Sequence, residues 1–159
     1  MTQDARFEDG QETPLNLGAL DAEDLQVVSA LSQDAVFPVT EMKWRAKDRR
    51  FAILLNRFRW EDAPTAKQSG RPVERVQSVL LIENVLQVAS QGVSRSDKDT
   101  ILSLLSMAFQ AGTDGAGDIL ITLAGDGQLK LSVEALEVSL KDVTRPYVAP
   151  SKQMPDHGD

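Results

Sequence analysis

Cysteine is absent, histidine and tyrosine occur once each, and aromatic residues make up only 5% of the chain. Without a thiol there is no disulfide framework, no thiolate nucleophile and no cysteine-ligated zinc or iron–sulfur cluster. The one histidine, His157, stands near the C-terminus among prolines and polar residues, where a triad or metal site is hard to assemble. No apolar run approaches the roughly 18 residues of a membrane-spanning helix, and the first ten residues lack the basic and apolar regions of a secretory signal. These absences lead us to expect a cytoplasmic protein with no cofactor, no metal, no membrane contact and no catalytic residue.

The 159 residues fall within the usual one-domain range of about 100–200. Hydrophobic residues at 42% and charged residues at 26% are near globular averages, so the chain should fold. Residues 1–17 read as a mobile lead-in, 18–147 as a single α+β domain and 148–159 as a disordered tail. Asp21 is placed to cap a helix over 21–32, whose apolar face is Leu25, Val28 and Leu31. Alternation from Met42 to Lys47 and a second run from Phe51 to Trp60 predict a hairpin, and the proline-containing residues 61–72 predict an exposed loop. Val76–Ile82 and Val85–Val93, separated by Glu83 and Asn84, predict another hairpin. Ser94 or Ser96 would cap a second helix with the stripe Ile101, Leu104, Leu105, Ala108 and Phe109, ended by Gly112. A third hairpin turns at Gly125–Gly127, after which the alternation slips by one residue, marking a bulge or a break. The expected fold is α+β: two amphipathic helices on an antiparallel sheet of about six or seven strands, with an order compatible with internal duplication around residue 93.

Charge is the least random feature. Acids outnumber bases 24 to 17, a formal charge of −7. Yet residues 43–60 hold seven basic residues against one acid, so a +6 hairpin sits on a −13 body. Both tryptophans and two of the five phenylalanines lie in the same stretch. Period-2 alternation sets Trp44 and Lys43 on opposite faces, so the tryptophans belong to the core and the basic residues to solvent. A three-residue turn would bring Arg57 and Arg59 onto the face of Lys43, Arg45 and Lys47; a two-residue turn would bring Phe58 and Trp60 there instead. Like charges crowded on one face need counter-charges, either from the acidic body or from a ligand.

Lys43, Arg45, Lys47, Arg57 and Arg59 are therefore the candidate binding residues of a non-catalytic binding or adaptor protein that contacts an acidic protein partner. The alternative is nucleic-acid or phosphorylated-ligand binding by the same face, which calls for exposed Phe58 or Trp60 beside the arginines. A carboxylate-based enzyme comes third and needs two acids in a deep pocket with Tyr147 or Lys141. Asp142, Glu134 and Glu137 read as the solvent side of edge strands. The glycine-containing loop 112–118 follows a helix rather than opening one, which is the wrong position for a phosphate cradle. Monomer and homodimer are both compatible with the charge pattern.

The stretches 20–35 (LDAEDLQVVSALSQDA), 44–60 (WRAKDRRFAILLNRFRW) and 140–147 (LKDVTRPY) resemble an uncharacterised alphaproteobacterial family, domain of unknown function 2948. The resemblance implies a one-domain bacterial cytoplasmic protein and brings no activity, substrate, cofactor or site residue.

Overall fold

A computed structural model describes residues 14–94 and 96–148. Residues 1–13 and 149–159, which carry most of the expected lead-in, the expected tail and His157, lie outside the described residues.

Only the first of the two expected helices is present as such. Helix α1 (Ala22–Leu31) begins where the sequence places it: the Asp21 carboxylate accepts from the Asp24 backbone N–H at 2.8 Å, and Glu23 and Asp24 add negative charge to the first turn. A shorter helix, α2 (Ala63–Gln68), with proline in its first turn, takes up much of the expected loop.

The rest of the fold is sheet, and this corrects the expectation of two helices on six or seven strands. Eleven strands are present among the described residues: β1 (Asn16–Ala19), β2 (Val36–Pro38), β3 (Met42–Arg45), β4 (Arg50–Phe58), β5 (Glu74–Ile82), β6 (Val85–Gln91), β7 (Ile101–Ala111), β8 (Gly117–Leu123), β9 (Gln128–Val133), β10 (Val138–Asp142) and β11 (Tyr147–Val148). Their spatial order is β1-β10-β5-β4-β2-β7-β8-β9-β6, with β11 beside β5 and β3 beside β4. Every pair is antiparallel.

The expected second helix is strand β7, and the reason is a bulge. Its buried residues are Leu102, Leu104 and Met107, spaced by two and then three, and the pairing with β8 shifts register between Leu104 and Ser106. A phase shift of one residue in a period-2 pattern imitates the spacing of a helical stripe. The serines and aspartates ahead of it serve a turn: the Asp97 carboxylate accepts from the Asp99 N–H at 3.0 Å. With a strand in place of the helix expected before Gly112, the duplication loses its repeating unit.

The expected hairpin of β5 and β6 is also absent. β5 pairs with β4 and β10, whereas β6 pairs with β9. Asn84, at φ 59°, turns the chain from one half of the sheet to the other. The hairpins β3–β4 and β8–β9 are present, and the slip after Val133 is a break between β9 and β10.

The two halves of the sheet share one core. Ile53, Leu55, Leu80 and Leu140 from one half and Leu104, Ile119, Ile121 and Leu131 from the other belong to a single buried cluster, joined by Leu25 and Val28 of α1. The helix lies on the flank of β7 beyond β2, where the Met107 N–H donates to Ser29 Oγ at 2.8 Å and Gln26 Nε2 donates to the Met107 carbonyl at 3.4 Å. No described helix is long and apolar enough to cross a membrane.

Candidate functional site

The β3–β4 register decides what the basic hairpin can do. Lys43 lies opposite Ala52, Trp44 opposite Phe51 and Arg45 opposite Arg50, joined by residues 46–49 with Arg49 at φ 56°. An even-numbered loop puts odd positions of β3 on the face of even positions of β4. Lys43 and Arg45 thus share the outer face with Arg50, Ala52, Leu54 and Asn56, while Met42 and Trp44 turn to the core with Phe51 and Ile53.

Arg57, at an odd position, follows Phe51, Ile53 and Leu55 inward and is fully buried. Two other strands offer polar groups at matching inward positions: Ser78 of β5 and Asp142 of β10, which are register partners. The Arg57 guanidinium donates from Nε to Ser78 Oγ at 3.0 Å and from Nη2 to Asp142 Oδ1 at 3.0 Å. Its Nη1 reaches the Phe58 carbonyl at 3.0 Å, and Nη1 and Nη2 form a fork on the two Glu61 oxygens, both at 2.9 Å. Asp142 in turn accepts from Ser78 Oγ at 2.6 Å and from the Leu15 backbone N–H at 2.9 Å. Every donor of the guanidinium is engaged. Burial by itself raises the Glu61 carboxyl's pKa, but the hydrogen bonds and charge of Arg57 outweigh it and hold that carboxyl below the usual range. Burial likewise opposes the Arg57 charge, and Glu61 and Asp142 more than offset it.

Arg59 is also buried, with only 5% of its surface exposed. Its Nη1 contacts Glu74 Oε1 at 2.6 Å and Asp62 Oδ2 at 3.4 Å, and Arg71 donates to the same Asp62 oxygen at 2.8 Å. Asp62, Arg71 and Glu74 line a cavity of about 640 Å³ with Pro14, Thr144, Arg145 and Pro146. This is a pocket with two acids, but neither Tyr147 nor Lys141 lines it, and both acids already carry arginines. Hydrogen bonds link the three stretches of the family resemblance: Trp60 Nε1 donates to the Gln33 carbonyl at 2.8 Å, and Arg57 Nη2 to Asp142 Oδ1 at 3.0 Å.

Of the five candidate residues, then, the structure keeps Lys43 and Arg45 on the outer face, leaves Lys47 exposed at the hairpin tip and takes Arg57 and Arg59 inside. Most of the +6 is neutralised within the molecule. Besides Arg57 and Arg59, Arg50 pairs with Glu83 at 2.8 Å, Arg49 with Glu134 at 2.7 Å and Arg45 with Asp48 at 3.9 Å. Lys43 and Lys47 have no ion pair among the described residues. Phe58 is 1% exposed, beneath the Arg75 guanidinium at 4.2 Å, so it offers no stacking surface. Asp142, expected on a solvent-facing edge, is buried because β10 lies between β1 and β5. The signal that could have found the cluster was a polar residue at the inward phase of each of three apolar runs.

The outer face joins residues from runs far apart in the sequence. Across β4 and β5, Ala52 faces Leu81 and Leu54 faces Val79, four half-buried apolar side chains in two adjacent rows. Lys43, beside Ala52, flanks this strip on one side. Lys141 of β10, beside Val79, flanks it on the other. Both lysines are exposed, and Lys141 also has no ion pair among the described residues. No group of metal-ligating side chains occurs among the described residues.

A family model described as "Protein of unknown function (DUF2948)" matches residues 15–157. No curated protein and no solved structure matches the chain.

Proposed function

The chain belongs to the DUF2948 family of proteins of unknown function, and from that premise we propose that it is a non-catalytic binding protein whose outer sheet face docks an acidic protein partner. The observation that carries this reading is the apolar strip Ala52, Leu54, Val79 and Leu81 bracketed by Lys43 and Lys141, with Arg45 at its border. Apolar contact at the centre supplies affinity, and unpaired lysines at the rim supply orientation and faster association with a negatively charged surface. The proposal includes the bacterial cytoplasmic setting that the resemblance implies. It differs from the sequence expectation in its residues: Arg57 and Arg59 leave the binding set, and Leu54, Val79, Leu81 and Lys141 join it. The nucleic-acid alternative draws less support, because Phe58 is buried and Trp60 is half-buried with its Nε1 on the Gln33 carbonyl.

The test is a photo-crosslinking amino acid at position 54 in cells, identification of the captured protein, and rebinding of that purified protein to the purified chain. Binding should weaken more than about tenfold in Leu54→Asp and in Lys43→Glu/Lys141→Glu, which remove a central contact and the rim charges. Arg49→Glu, off this face, should bind as the wild type does. Nucleic acid in the crosslinked product, or a partner indifferent to the face variants, refutes the reading.

A further inference from the structure

Among the described residues, strand β6 ends the sheet and pairs only with β9, so its outer edge carries backbone N–H and C=O groups that no other described strand takes. Natural edges are ordinarily blunted by lysine, proline, a bulge or a covering helix. The sequence of β6, Val-Leu-Gln-Val-Ala-Ser-Gln, has no charge, no proline and no glycine. Its single irregularity falls at the start, between Val85 and Gln87, where the Val85 N–H is also taken by the Arg49 carbonyl at 2.9 Å. From Gln87 to Gln91 the ladder is regular, and all of these residues except Val88 are exposed. The opposite terminal strand, β1, has four residues and packs against α1, so it presents no comparable edge.

We infer that β6 is a dimerisation edge, pairing antiparallel with β6 of a second copy about a two-fold axis near Val88. The choice of a second copy rests on charges at the two ends of the strand. At its beginning lies the tip of the β3–β4 hairpin, residues 46–48, which carries exposed Lys47. At its end, Gly92 abuts the backbone of Asp126 at the tip of the β8–β9 hairpin. Lys47 and Asp126 have no ion pair among the described residues, and Asp126 is exposed. Antiparallel self-pairing sets the Lys47 end of each copy against the Asp126 end of the other, twice by symmetry. The uncharged strand between them lets two chains of net charge −7 approach without like-charge contact across the ladder. This edge is separate from the outer face of β4 and β5, so either proposal can fail alone.

Sedimentation of the full chain over about 1–100 µM tests it, because a dimer is concentration-dependent. The expected result is a species of twice 17.4 kDa. Gln87→Lys/Ala89→Lys, which sets like charges opposite each other across the axis, should sediment as a folded monomer by circular dichroism. Lys47→Glu should raise the dimer dissociation constant about tenfold, and adding Asp126→Lys should restore it. If the double-lysine chain does not fold, amide hydrogen exchange decides in the wild type: residues 87–91 should gain protection with concentration. A wild-type monomer throughout, a dimer unchanged by folded Gln87→Lys/Ala89→Lys, or exchange at 87–91 independent of concentration overturns the inference.

Discussion

Replacing Arg57 by methionine removes the cation that bridges two carboxylates, Asp142 of β10 and Glu61 just beyond the end of β4. Asp142, whose side chain is 4% exposed, would keep only Ser78 Oγ and the Leu15 N–H, and Glu61 would lose its fork. Breaking a buried ion pair from one side costs about 3–5 kcal/mol, a large share of the roughly 5–15 kcal/mol that holds a typical domain folded. The cost is not symmetric between partners. Asp142→Asn leaves Arg57 paired with Glu61 and balances the charge of the cluster, but replaces one acceptor oxygen by an NH2 that its donors cannot use, so it should cost the worth of a charge-assisted hydrogen bond, about 1.5–3 kcal/mol. In Arg57→Met/Asp142→Asn, Glu61, at 30% exposure, is free to turn toward water. The double variant should therefore fall short of the sum of the singles by more than about 1 kcal/mol. Urea unfolding at pH 7, read from the fluorescence of Trp44 and Trp60, measures all three. The Arg57→Met deficit should also shrink on acidification from pH 7 to about 4, as Glu61, left with the burial that raises its carboxyl once the Arg57 fork is gone, takes up a proton. An Arg57→Met chain within about 1 kcal/mol of the wild type, or one costing less than Asp142→Asn, would refute the account of this cluster.

Glu61→Gln should flatten the acid limb of the stability curve. The folded-state value of Glu61 lies below its ordinary 4.5, so its contribution is present above that value and is lost as pH falls through the lower one; urea midpoints from about pH 6 downward check this. Asp21→Ala should cost about 0.5–2 kcal/mol by denaturant unfolding through loss of the α1 cap, and Asp21→Asn should retain most of it. Gly117→Ala should cost about 1–3 kcal/mol, because the new methyl would meet the Gln110 carbonyl and the Phe109 ring inside the β7–β8 ladder. Gly18→Ala, with its nearest neighbour 3.9 Å away at the Val138 carbonyl, should stay within about 0.5 kcal/mol, and thermal unfolding of the pair separates the two cases.

Features decided within a few residues were legible in the sequence. Helix α1 starts at its own cap, and the β8–β9 turn sits at Gly125 and Asp126, both at positive φ. The break after Val133 was visible as a phase slip. The alternation of Lys43 and Arg45 with Trp44 predicted the right faces within β3. Strand β7 was not legible, because a bulge shifts a two-residue period into something that matches a helix. Nor was the pairing of β6, because two apolar runs separated by Glu83 and Asn84 suit a hairpin as well as a crossing between sheet halves.

The family, the charge separation along the chain and the exclusion of thiol chemistry were determined by the residues alone. Where that charge goes was decided only in three dimensions. Arg57 and Asp142 are 85 positions apart, and only the order β10-β5-β4 brings them together. A side chain's neighbours along a strand are set by local geometry, but its counter-charge is set by which strands pair and in what register. That tertiary choice turned a +6 hairpin into a largely neutral one and left, on the outer face of the sheet, an apolar strip between two lysines that have no ion pair among the described residues.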